Sequence, residues 1–546
     1  MTFVDLMRDS LLGVGLLLAV GMIWCVGAAH AEEAEVSHRI YWDRTLQRVG
    51  QPEQLFLRVE RPIDSEPWTV TAELVAPDGV AVQGDAVQQS DVWTRPRVLT
   101  TVGAGGGAAR LVDGPIAFSE LAWTLQADRA VDAPVIVKYT LPEGSAEAVL
   151  DTDFLPQPEV GPQPYVPEPA PVRGKYHVGG IYFPGWSPGA HYGWSILDAY
   201  PERRPALGYY DESLPEVMDW QIKWAVEHGM TFFMFCWYRA HGTEGQPISQ
   251  HLDHAIHEGF FNARYASEMQ FAIMWENGNL AGVSDRADLE QNLFPYWMET
   301  YFKHPSYLVI DNKPVLYIYD MNRFIKDLGS EAAVKDATDW MRAAAVEAGF
   351  DGLHLIAEYR GDDPGVIERI KACGIDYTFA YCFHTVPENA EEDLAVETLR
   401  ETHARRFGRG DVLPDVPTLA VGWAPEPWET YVNYHRSPHW WLQPEGYARQ
   451  ARNLRTLMDA QPADNLSSRM VMLDNLNEWG EGHYILPHRE YGFGYLDAIR
   501  EVFTDAPEPH VDILPEEVGL GPYDAAHKAW FAEMYERAVA EQDKQD

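Results

Sequence analysis

After Gly174 the chain alternates apolar runs of strand length with amphipathic helical segments, and this alternation restricts the fold more than any other feature. The apolar runs are Val178-Phe183, Phe232-Trp237, Phe271-Trp275, Val315-Tyr319, Leu353-Glu358, Tyr377-Cys382, Leu419-Trp423 and Met470-Asp474. Between them, Met218, Ile222, Ala225 and Val226 line one face of a helix that ends at Gly229. Residues 333–349, 365–374, 396–407 and 446–461 have the same periodicity, and 495–503 adds a helix after the last strand. Strands alternating with helices over about 330 residues predict an α/β fold, a (β/α)8 TIM barrel. The alternative, a doubly wound open sheet, would place a Gly-rich phosphate loop after the first strand, and the sequence has none there.

In such a barrel the carboxyl ends of the strands face one mouth. The first strand delivers Tyr182 and Trp186 there, the second Trp237, Tyr238, Arg239 and His241, and the third Trp275, Glu276 and Asn277. The fourth delivers Tyr319 and Asp320, the fifth Glu358 and Arg360, the sixth Tyr381 and His384, and the seventh Trp423. The eighth delivers Asn475, Asn477, Glu478, Trp479 and Glu481 within one short stretch. Any one of these tryptophans taken alone reads as ordinary packing; their shared placement points to a ligand. Aromatic faces pack on the C–H faces of sugar rings, and Asn, Asp and His bind hydroxyls directionally. Two carboxylic acids are the usual equipment for cleaving a glycosidic bond, and Glu478, Glu481, Glu358 and Glu276 are the candidates.

The rest of the chain sets the context. Residues 1–31 read as an export signal, with an apolar run from Leu11 to Ala28 and a small-x-small site at Ala29-His30-Ala31. An uncleaved membrane anchor is the alternative. Export implies a periplasmic, cell-surface or secreted protein, with no membrane span after cleavage. Residues 32–154 carry short β-type runs punctuated by turns, as in a β-sandwich-like accessory domain. Residues 155–172 hold seven prolines and read as an extended linker. The catalytic barrel is expected over 173–505, followed by a C-terminal helical tail over 506–546. A formal charge of -41 argues against nucleic acid as a partner. Cys236, Cys373 and Cys382 read as buried thiols, and no Cys/His spacing suggests a zinc site, so no metal is expected.

The stretch Leu476-Asn477-Glu478-Trp479-Gly480-Glu481-Gly482 resembles the Trp-Asn-Glu-Trp-x-Glu-Gly signature of glycoside hydrolase family 99 and of the related WbsX-like domain, often labelled a glycosyltransferase. Supporting likenesses are Gly208-Tyr209-Tyr210-Asp211, Phe233-Met234-Phe235-Cys236-Trp237-Tyr238, Trp275-Glu276-Asn277, the segments 301–307 and 311–315, and Tyr491-Gly492-Phe493-Gly494-Tyr495-Leu496. The resemblance implies a retaining barrel hydrolase of α-mannosidic linkages, acting within chains and through a 1,2-anhydrosugar without a cofactor. Carried over, Glu478 is the base for the sugar 2-hydroxyl and Glu481 the acid, then base, at the leaving oxygen. The chain departs from the pattern at Leu476, at the order of Glu276 and Asn277, and at Ala424 after Gly422-Trp423. These departures leave the pair intact and bear on the substrate.

Other readings compete. One is an ordinary glycosidase pairing Glu358 with Glu478. Another is a polysaccharide-assembly glycosyltransferase, which would need a nucleotide-sugar site that the sequence does not display. A third is a carbohydrate-binding protein without turnover. The expected partner is in each case a polysaccharide or oligosaccharide.

Overall fold

The computed structural model describes residues 38–542 apart from 62–69, 94–96, 101–108, 113–115, 142–143, 192, 198, 429–438, 507 and 509. The expected export signal lies outside the described residues.

Eight strands form the barrel sheet: β1 (His177–Tyr182), β2 (Phe232–Arg239), β3 (Gln270–Trp275), β4 (Lys313–Ile318), β5 (His354–Glu358), β6 (Tyr377–Phe379), β7 (Thr418–Leu419) and β8 (Met470–Leu473). They pair in the order β6-β5-β4-β3-β2-β1-β8-β7, and every pairing along this path is parallel. A parallel sheet covered by helices buries both faces of its strands. Hence β2 is buried continuously from Phe232 to Trp237, and β8 throughout.

Closure between β6 and β7 depends on loop backbone and one side chain. Thr378 N donates to Pro414 O at 3.0 Å and Val416 N to Thr378 O at 2.8 Å. The Thr418 hydroxyl donates to Ala380 O at 2.7 Å and accepts from Ala380 N at 3.2 Å. This explains why β6 and β7 are shorter than their apolar runs. Gln450 binds both backbone groups of Ala420, and Asp474 accepts from Val421 N. Side chains thus replace the ladder, and Gly422–Trp423 turns away to pair with Trp440–Trp441.

The long helices are α1 (Pro215–Glu227), α2 (Met321–Leu328), α3 (Glu331–Glu347), α4 (Pro364–Ala372), α5 (Glu392–Gly408), α6 (Pro444–Asp459), α7 (Gly494–Phe503) and α8 (Ala525–Gln542). α1 starts with proline, which has no N–H to leave unpaired, and the chain turns at Gly229 with φ +86°. Among the described residues no helix is long and apolar enough to cross a membrane.

The N-terminal region is all-β. One antiparallel sheet orders His38–Trp42, Glu53–Arg61, Ile116–Ala127 and Val80–Trp93; another orders Gly144–Leu150, Val135–Leu141 and Thr71–Val75. Alternate side chains go inward, as in Leu55, Leu57 and Val59 on one strand and Val135, Val137 and Tyr139 on another. The proline-rich run is extended but held along α1: Val172 N donates to Val226 O at 3.0 Å, Ala170 N to the Glu227 carboxylate at 2.9 Å, and the Tyr165 hydroxyl to Asp219 at 2.6 Å. Arg48 ties the β region to the chain beyond the barrel through a fork to Glu517 at 2.6 and 2.9 Å.

Candidate active site

The stretch after β8 forms a small hairpin in which Asn477–Glu478 pairs with His483–Tyr484, placing Glu478 opposite His483. Its glycines are there for space. A Cβ on Gly480 would lie 2.4 Å from the Trp428 indole, and one on Gly482, at φ +72°, would lie 2.4 Å from Ala424 O. Asn477 fastens the hairpin to the end of β1, its amide accepting from Phe183 N at 2.8 Å and donating to Phe183 O at 2.9 Å. Arg203 holds the far side, donating to Ala424 O at 2.9 Å and Trp479 O at 3.3 Å while pairing with Glu426. Leu476 fills the space over Gly180, where a Cβ would lie 2.6 Å from its Cγ.

This frame presents two carboxylates differently. Glu478 is 3% exposed; one oxygen accepts from the Tyr381 hydroxyl at 3.4 Å and the other has no hydrogen-bond partner. Burial, and then the charge of Glu481, push its carboxyl well above the usual range. Tyr381 is itself aligned by Asn475, whose amide donates to the phenol oxygen at 2.9 Å. Glu481 is more open, and His483 Nε2 lies 2.9 Å from its Oε2. The other nitrogen of that fully buried ring is 3.9 Å from Asp474 Oδ2. Burial raises the Asp474 carboxyl to about 7, against the pull of His483 and of backbone N–H groups.

Both glutamates open into a cleft of about 400 Å³, which is within the range of small-ligand sites. Of the residues expected from the strand ends, Tyr238, Glu276, Tyr319, Tyr381 and Trp423 also line it. Burial raises Glu276 to about 7, partly opposed by N–H groups of Asn279 and Gly278 that donate to it at 3.1 and 3.2 Å. Glu358 and His384 face an adjoining cavity that also contains Tyr319 and Arg360. There Arg360 donates to Glu358 at 2.6 Å and to the Tyr319 hydroxyl at 3.0 Å, and stands 2.9 Å from His384. Glu358 is thus an ion-paired wall, not a free partner for Glu478.

The remaining expected ligands do not reach either cavity, which corrects the reading from strand position alone. Tyr182 is fully buried with its hydroxyl on Gln221, and Trp186 is buried against Trp194. Trp237 donates to the Tyr301 hydroxyl at 3.1 Å, and Trp275 packs on Trp297 and Phe324. Asn277 clasps the backbone of Asp320, Asn477 clasps Phe183, and Trp479 donates to the Tyr210 hydroxyl at 3.2 Å. Arg239 is likewise consumed, in a buried fork with Asp288 at 2.6 and 3.1 Å. For Tyr182, Trp237, Arg239 and Trp275 the strand pleat decides, because successive side chains point to opposite faces. Segments between the barrel strands supply lining residues with no strand-end signal: His191, His251, Leu252, Asn279, Leu280 and Trp428. Cys236, read only as a buried thiol, also borders the cleft.

A family model described as Glycosyltransferase WbsX matches residues 198–499, more than half of the chain. The chain belongs to the WbsX family. Two curated relatives of this WbsX-family chain, both described as uncharacterized protein WxcX, come from two strains of Xanthomonas campestris pv. campestris. They are 27% and 26% identical over 332 residues, covering 57% of this chain and 45% of theirs. The chain therefore spans under half the length of these relatives. Among solved structures, the GH99 endo-alpha-mannosidase from Bacteroides thetaiotaomicron is similar at 14% identity and TM-score 0.41, covering 66% of this chain and 98% of that one. A glycoside hydrolase-like protein is similar at 16% identity and TM-score 0.44, covering 63% and 98%.

Proposed function

We propose that this WbsX-family protein is an exported glycoside hydrolase that cleaves glycosidic bonds within a polysaccharide and retains configuration, with Glu478 and Glu481 as its catalytic pair. The observation that carries the reading is the buried Glu478 beside the more open Glu481 at the floor of an aromatic-walled cleft. A base and an acid close in sequence need environments that push their pKa values apart. The hairpin gives the two carboxylates different surroundings, with an oxygen of Glu478 left unpartnered and Glu481 set against His483.

In the free chain, burial favours the proton on Glu478. A sugar seated with its 2-hydroxyl donating to Glu478 stabilises the ionised form of that carboxyl. The mechanism then requires the acid form of Glu481 at the glycosidic oxygen. In the first step Glu478 takes the 2-hydroxyl proton, the 2-oxygen attacks C1, and Glu481 protonates the departing oxygen. In the second, Glu481 takes a proton from water, the water oxygen attacks C1, and the C1–O2 bond opens as Glu478 returns its proton to O2. Two inversions at C1 give net retention.

The lining favours hydrolysis over transfer from a sugar nucleotide. A diphosphate calls for free cations or a helix N-terminus. Among the described lining residues Arg360 is the sole guanidinium or ammonium, and it is committed to Glu358. His191 and His251 are held neutral by burial, which lowers both. Such a lining suits an uncharged glycan. The test is digestion of a panel of neutral and anionic polysaccharides, with products resolved by size and by the configuration of the first reducing end formed. Oligosaccharides of retained configuration support the reading. Transfer from a sugar nucleotide without hydrolysis of any polymer contradicts it.

A further inference from the structure

At the end of the barrel opposite the cleft, His228 follows α1 and is fully buried. Its Nδ1 stands 2.7 Å from Trp224 O, so that nitrogen carries the hydrogen and the lone pair of the neutral ring lies on Nε2. Nε2 faces Asp497 Oδ1 of α7 at 3.3 Å and Asp512 Oδ2 of the following segment at 3.6 Å, yet satisfies hydrogen-bond geometry with neither. Asp512 is 3% exposed, and its Oδ1 is also buried without a partner.

We propose that His228, Asp497 and Asp512 form a binding site for a divalent cation of the zinc class, which fastens the C-terminal segment to the base of the barrel. The donor atoms of all three residues lie within 4.8 Å of one another. Tetrahedral ligands about 2.0–2.2 Å from zinc stand roughly 3.3–3.6 Å apart, and the two imidazole–carboxylate separations match that edge. Metal-bound histidines characteristically give their other ring nitrogen to a carbonyl or carboxylate, as Nδ1 does here to Trp224. Asp497 is half exposed, which leaves an entry path and room for a water as fourth ligand.

The surroundings are consistent with a cation. The His510 ring stands edge-on to His228 at 5.5 Å, its Nε2 3.2 Å from Glu227 and 3.9 Å from Asp512 Oδ1. Lys223 is already paired with Glu227. The three residues come from separate segments of the chain, so no spacing motif reveals them.

The test uses the full chain, stripped with chelator and titrated calorimetrically with Zn²⁺ at pH 8, alongside thermal melts and the visible spectrum of the Co²⁺ form. The expected result is one saturable site per chain, a raised Tm reversed by chelator, and a tetrahedral Co²⁺ spectrum. Asp497→Asn, at a half-exposed position that leaves the fold intact, is expected to lose about tenfold or more in affinity. His228→Gln should lose the Co²⁺ spectrum. No saturable binding overturns the proposal. So does equal binding by wild type and Asp497→Asn, which would place the metal on scattered surface carboxylates.

Discussion

His483 Nε2 lies 2.9 Å from Glu481 Oε2, and the same ring reaches back toward Asp474. His483 does not itself line the cleft, so it acts through Glu481 as a positioning residue. Gln at this position can still offer a donor to Glu481, whereas Ala cannot. His483→Ala is expected to lower kcat by about 100-fold with a smaller change in KM, since misplacing a reacting group by about an ångström costs that much. His483→Gln should recover most of kcat. Steady-state kinetics on a cleaved glycan checks both; equal loss in the two variants would contradict a positioning role.

Glu276 gives the protein a pH-dependent liability. Its carboxyl ionises near 4.5 when unfolded and at about 7 when folded, chiefly because of burial. Between those values the unfolded chain binds fewer protons, so this group makes stability fall as pH rises from about 4.5 to 7. Below that window its cost is absent. Glu276→Gln keeps an acceptor for Gly278 and Asn279 and removes the charge. The variant is expected to gain on the order of 3 kcal/mol relative to wild type at pH 7.5 and nothing at pH 4. Urea unfolding at the two pH values measures the difference.

Arg239 and Asp288 form a buried fork, and the two terminal nitrogens of Arg239 also donate to Gly282 O and Gln246 O. Removing one charge strands the other. Asp288→Asn is expected to destabilise the fold by about 3–5 kcal/mol. Replacing both residues with apolar side chains of similar volume should cost less than the single change. Chemical denaturation of the single and double variants is the check.

Gly482 lets the turn between Glu481 and His483 lie against Ala424, whose N donates to Glu481 O at 2.8 Å. Gly482→Ala combines a Cβ clash with a positive φ. It is expected to destabilise the fold by about 1–3 kcal/mol and to abolish most activity by shifting Glu481. Gly408→Ala, at the end of α5 with open space around the new Cβ, is the control and should leave activity unchanged. Melting curves and cleavage rates of the two variants separate the effects.

The barrel is legible in the sequence because its strands are continuous apolar runs set between helices of 3.6-residue period. Phe232-Trp237 and the α1 stripe of Met218, Ile222, Ala225 and Val226 are examples. The candidate pair is legible because both residues lie in one hairpin just after β8. The surface around it is less so. Trp237 and Trp275 leave neighbouring strand ends but point into the helical layer, while Trp428 and His191 reach the cleft from segments between the strands. Ion pairing is not fixed by spacing: Glu358 reads as a candidate acid in the sequence, whereas Arg360 folds back upon it in the structure.

The most direct test compares release of reducing ends from a susceptible polysaccharide by wild type, Glu478→Gln and Glu481→Gln, with folding of each checked by its melting curve. The account expects wild type to cleave and each variant to fall by about 100-fold or more while remaining folded, because each glutamine removes one proton-transfer group. Cleavage by either folded variant at the wild-type rate would contradict the assignment of the pair.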